Sequence, residues 1–90
     1  MNTTYSHKDF EAEFRAAKVA RLVAEIDRCV ASVGFDPHRD AAEVVELLGR
    51  WSTDSWKRLA VSCGKRPPSQ TTINQIVNTY KSRSAVAEVA

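Results

Sequence analysis

The side chains in this 90-residue chain that could do covalent or metal chemistry are few and far apart. His7 and His38 have no second histidine or cysteine near them in sequence. A general base needs a positioned partner, and neither histidine has one at a recognisable spacing. His38 falls in the first turn of an expected helix, where a cation is disfavoured, and reads as a neutral surface residue. Cys29 and Cys63 form no CxxC pair and no Cys/His cluster of zinc-binding spacing, so both read as reduced, buried packing residues. Ser55, His38 and Asp54 could be assembled on paper into a triad, but no spacing ties them together. There is no glycine-rich phosphate loop. Glu43 and Glu46, three apart, read as water-facing acids. The sequence therefore points away from an enzyme: no catalytic residue, metal ligand or cofactor is expected.

Non-covalent chemistry is more evident. The stretch "GKRPPSQTTINQIVNTYKSR", Gly64 to Arg83, is rich in amides, hydroxyls and cations and has no acid. The net charge of +2 hides an asymmetry. Residues 1–49 carry six Lys/Arg against nine Asp/Glu, and residues 50–90 carry seven against two. No carboxylate occurs between Ser55 and Ala87. A one-sided basic half is the usual footprint of a polyanionic partner.

The elements that must position these groups are helices. Only three Gly and three Pro interrupt the chain, and 43% of it is apolar. From about His7 to Val33, the residues Ala12, Ala16, Val19, Val23, Ile26, Val30 and Val33 alternate steps of four and three, the period of an amphipathic helix. That helix would be roughly 40 Å long. Its stripe could line an intramolecular core or pair with a second copy as a coiled-coil seam. A second helix opens at "DPHRD", with Asp36 as N-cap and Pro37 in the first turn, and buries Ala41, Val44, Val45, Leu47 and Leu48. A third opens at "WSTDSW", with Ser52 as N-cap and Trp51 and Trp56 as a hydrophobic staple. It buries Trp56, Leu59, Ala60 and Cys63, and Gly64 ends it. Pro67 and Pro68 make Lys65–Ser69 a stiff connector. Ser69 caps a fourth helix that buries Ile73, Ile76, Val77 and Tyr80. The expected architecture is an all-α, small four-helix bundle with a long first helix. Residues 1–6 are read as a flexible N-terminus, 7–83 as a single helical domain and 84–90 as a C-terminal tail.

With that stripe inward, Gln70, Thr71, Asn74, Asn78 and Lys81 form one outward ridge on the fourth helix. Amides donate and accept at once and suit adenine edges, Thr adds a hydroxyl and a methyl, and Lys reaches guanine or phosphate. Lys65 and Arg66 before the helix and Arg83 after it are expected on flanking phosphates, with Ser69 at the helix start, where free N–H groups favour an anion.

The arrangement "WKRLAVSCGKRPPSQTTINQIVN" resembles a helix-turn-helix element, with Ala60 and Gly64 at the spacing of its small residue and turn glycine. The segment "QTTINQIVN" resembles the recognition helix of lactose-repressor-type regulators. By that resemblance Gln70, Thr71 and Asn74 would read bases. The likeness covers about residues 55–83, with a turn lengthened by two prolines.

The expected function is a small DNA-binding protein, a transcriptional regulator, that contacts double-stranded DNA through helix 70–83 and connector 65–69. The first helix, 7–33, could supply a homodimer contact. The alternative is a helical protein–protein interaction module, such as an inhibitor or adaptor encoded on a phage or other mobile element. It would dock on an acidic protein surface, with Tyr5, Phe10 or Trp51 as anchors. No apolar run approaches the ~20 residues of a membrane span, and the N-terminus lacks the apolar core of a secretory signal. A cytoplasmic location is expected.

Overall fold

The computed structural model describes residues 7–62 and 67–89. Among them are four α-helices and no strand: α1 (His7–Ser32), α2 (Ala41–Gly49), α3 (Thr53–Ser62) and α4 (Gln70–Val89). Helix α4 packs chiefly on α2 and α1, and α3 packs on α1. The result is a small all-α bundle.

Each helix boundary has a local cause. The chain leaves α1 through Gly34 at φ +96, a conformation that costs little only for a residue without Cβ. The Phe35 N–H donates to the Val30 carbonyl at 3.0 Å and the Gly34 N–H to that of Ala31 at 3.2 Å. These are the paired bonds of a Schellman C-cap, which satisfy carbonyls the helix leaves open.

The start of α2 differs from expectation. The Asp36 Oδ1 accepts from the N–H groups of His38 (2.8 Å) and Arg39 (3.0 Å), but these lie in a turn that precedes the helix. Asp40, with φ −98 and ψ 27, interrupts the helical run, and α2 begins at Ala41. The Asp40 Oδ2 reaches back to accept the Asp36 N–H at 2.9 Å. Backbone N–H donors hold both carboxyls below their usual range. The caps of the other two helices match expectation. The Ser52 Oγ accepts the Ser55 N–H, and Trp51 and Trp56 meet edge-to-face with centroids 4.9 Å apart. The Ser69 Oγ accepts the Thr72 N–H at 3.2 Å.

The core is built from Val19, Leu22, Val23, Ile26 and Val30 of α1, with Ala41, Val44, Leu48, Trp56, Leu59, Ile76 and Tyr80 from the other helices. Ile73 and Val77 are half-buried against it, and Thr72 is buried. Several residues expected inside are not. Ala12 and Ala16 are exposed, as are all of residues 12–17, because no neighbouring element covers these turns closely enough to bury them. Val33 follows the helix and is also exposed. Leu47 is 40% exposed, one position off the inward line through Val44 and Leu48. Cys29 is exposed as well, so the expectation of a buried thiol fails there. Cys63 and Gly64 lie outside the described residues. Helix α4 continues through residues 84–89 to Val89 and does not stop at Arg83.

One polar cluster fastens α4 to α1. Tyr80 is fully buried. Its hydroxyl donates to Asp27 Oδ1 at 2.5 Å, with the Val23 carbonyl 3.2 Å from the same oxygen. Arg83 Nη1 donates to Asp27 Oδ1 at 2.9 Å and lies 3.4 Å from the Pro37 carbonyl, and its guanidinium stands over the Tyr80 ring. Burial, reinforced by the Asp27 carboxylate, pushes the Tyr80 hydroxyl far above its ordinary value.

Two measurements check this account. Gly34→Ala should lower stability by about 1–2 kcal/mol through backbone strain alone, since the added Cβ would meet nothing within 4 Å. Urea denaturation should show a lower midpoint at unchanged slope. Tyr80→Phe should cost about 1.5–3 kcal/mol, the range for a lost bond to a charged acceptor. Because folding raises the Tyr80 pKa, its contribution is intact below the unfolded value of about 10 and fades as pH rises above it. The wild-type stability curve should therefore fall above pH ~10 more steeply than that of Tyr80→Phe.

Candidate nucleic-acid interface

The outer face of α4 is set by what its inner face must bury. With Ile76 and Tyr80 pointing at the core, the helical period turns Gln70, Thr71, Asn74, Asn78 and Lys81 outward, and all five are exposed. The Gln70 Nε2 donates to Asn74 Oδ1 at 3.0 Å. That bond uses one Gln70 donor and the Asn74 oxygen, and leaves the Gln70 oxygen as an acceptor and the Asn74 NH2 as a donor. Asn78 and Lys81 continue the line one and two turns further.

The ridge is not a free-standing crest. It is one wall of a groove of about 710 Å³. Gln70, Asn74, Asn78 and Lys81 form that wall, and Ile73, Val77 and Leu48 contribute apolar surface beside it. Facing them are Trp51, Trp56 and Thr53 at the α2–α3 junction and Pro67 and Pro68 before α4. Among the described residues no carboxylate lines the groove. Trp51 is half-buried, held edge-to-face by Trp56. Lys57, one turn after Thr53 on α3, is exposed.

The other expected site residues fall elsewhere. Thr71 is exposed at the edge of the ridge and does not line the groove. The Ser69 hydroxyl is engaged in capping, with Thr72 N–H and Oγ1 as its partners. Arg83 lies about 140° round the helix from Gln70. It points inward to Asp27, so the expectation of a phosphate contact there gives way to a structural tie. Lys65 and Arg66 lie outside the described residues. In the segment carrying the helix-turn-helix resemblance, Ala60 is fully buried, while Gly64 is not described. The principal partner of α4 is α2, and that of α3 is α1. Trp51 appeared in the sequence only as a staple and possible anchor; nothing local announced that it would face the amides across a groove.

Among the anchors of the protein-binding alternative, Tyr5 and the Phe10 side chain lie outside the description, and Trp51 is half-buried. Exposed apolar surface occurs at Phe14 (65%) and at Phe35 with Leu47. His38 is exposed, and among the described residues no group of three or more His, Cys, Asp or Glu could hold a metal ion. No described helix is long and apolar enough to cross a membrane. No protein-family model, curated protein or solved structure matches the chain.

Because the ridge residues touch solvent and not the core, Asn74→Ala, Asn78→Ala and Lys81→Ala should each change unfolding free energy by less than about 0.5 kcal/mol. Thermal melts should place all three beside wild type and well above Tyr80→Phe.

Proposed function

We propose that this chain is a small DNA-binding protein, acting as a regulator, whose α4 carries the groups that meet the nucleic acid. One observation carries the reading. Gln70, Asn74, Asn78 and Lys81 lie exposed on one stripe of one helix, beside a groove that no described carboxylate lines. Amides at successive turns offer paired donors and acceptors to base edges, and Lys81 supplies a charge for phosphate. The absence of acid matters as much, because a carboxylate in this position would repel the backbone of any nucleic acid. Lys57 on α3 and the basic connector before α4 add cations on the same half of the sequence. Such a role belongs in the cytoplasm and calls for no cofactor. Arg83 takes no part, since its guanidinium is committed to Asp27.

A second reading, a helical protein-interaction module, draws on a different observation. Phe35 and Leu47 stand exposed beside Glu43 and Glu46, around a small hollow between α1 and α2. Exposed aromatic and aliphatic groups of this kind anchor protein interfaces.

The deciding measurement is fluorescence anisotropy with labelled DNA, duplex and single-stranded, at two ionic strengths. A protein that neutralises about four phosphates should lose roughly 100-fold in affinity between 50 and 200 mM salt. Lys81→Ala should flatten that dependence. The absence of binding to any DNA at 50 mM salt would sink the proposal and leave the interaction module standing.

A further inference from the structure

We infer that the groove between α4 and the Trp51–Pro68 wall receives the unpaired bases of a single DNA strand. The inference rests on the DNA-binding reading above and names the form of nucleic acid that the site takes.

Shape comes first. A helix that reads duplex DNA must enter a major groove about 12 Å wide and 8.5 Å deep, so its reading side chains have to stand proud of the surface around them. Here they line a trough, with Trp51, Pro67 and Pro68 facing them. Its volume of about 710 Å³ falls within the roughly 300–1,000 Å³ of sites that enclose small organic groups. A strand with its bases turned out can enter such a trough, whereas a stacked duplex presents its backbone to the rim.

Spacing comes second. Gln70, Asn74 and Asn78 are four residues apart, a rise of about 6 Å per step. That is nearly twice the ~3.4 Å between stacked bases on one strand. A row of amides at this interval suits splayed bases better than stacked ones, and unpaired bases expose their pairing edges to such amides. The bond from Gln70 to Asn74 leaves the Gln70 oxygen to accept and the Asn74 NH2 to donate, which suits a base edge that carries one of each.

Chemistry is the third support. Proteins that hold single strands combine an aromatic stacking surface with a cationic track. Trp51 supplies the first, half-buried and pinned by Trp56 at 4.9 Å. Lys81 at one end of the ridge and Lys57 beyond Thr53 supply charge for the phosphates. A proline-rich peptide could also lie against tryptophan and proline. That mode docks prolines against an aromatic-lined groove and makes little use of amides, whereas here amides recur turn by turn along one wall, as unpaired base edges require.

The experiment uses the full chain, a 12-nucleotide labelled single strand and the blunt duplex of the same sequence, with anisotropy and tryptophan emission as readouts. The single strand should bind at least tenfold more tightly than the duplex and should quench tryptophan emission. The double variant Asn74→Asp/Asn78→Asp should keep its helical circular dichroism and lose more than tenfold in single-strand affinity. Lys81→Gln should weaken binding less and reduce its salt dependence. If the duplex binds as tightly as the single strand or more so, this inference fails while DNA binding stands. If neither binds, both fail. Tryptophan quenching by a proline-rich acidic peptide, with none by the oligonucleotide, would assign the groove to peptide and overturn it as well.

Discussion

The contact on which the arrangement turns is the one between Asp27 of α1 and the pair Tyr80 and Arg83 of α4. A fully buried phenol would be costly to desolvate without an acceptor, and Asp27 provides it at 2.5 Å. A carboxylate among apolar side chains would be costly without a cation, and Arg83 provides that at 2.9 Å. Each group makes the burial of the others tolerable. Together they fix the rotation of α4 about its own axis, because Tyr80 can reach Asp27 in only one helical register. That rotation decides which residues face water. The outward position of Gln70, Asn74, Asn78 and Lys81 is thus the far side of a constraint imposed at the core.

Much of the fold was legible because its determinants are local. The Ser52 and Ser69 caps, the Trp51–Trp56 staple and the glycine stop after α1 each depend on residues within a few positions of one another. The inward line Ile73, Ile76, Val77 and Tyr80 follows from period alone, and so does the solvent-facing amide row opposite. Where the reading went astray, the missing information was non-local. Ala12 and Ala16 continue the apolar period of α1, but periodicity cannot tell how closely a neighbouring helix covers each turn, and here both stay exposed. Leu47 and Cys29 lie near the edges of their stripes, where a small rotation separates inside from outside.

Arg83 shows the same limit in the site. A basic residue just past a polar ridge suggests a phosphate contact when only the helix is considered. Its place three residues after a buried tyrosine hints at the inner face, but Asp27, 56 positions earlier, supplies the reason it turns there. The groove itself lay beyond sequence reasoning, since Trp51 and Asn74 meet across it only because α4 packs on α2. The amides could be found from one helix, whereas the wall opposite them required the fold.

The exposed start of α1 has a consequence for how the molecule comes apart. Its first turns, residues 12–17, lack the tertiary burial that sustains most protein helices, and isolated helical segments of that length are marginal in water. Those amides exchange with solvent through local fraying, while amides around Leu22 and Ile26 open only with the whole bundle. Loss of helical signal on heating accordingly begins before the tryptophan environment changes. A single melting temperature then blends two events, one confined to an arm and the other belonging to the body.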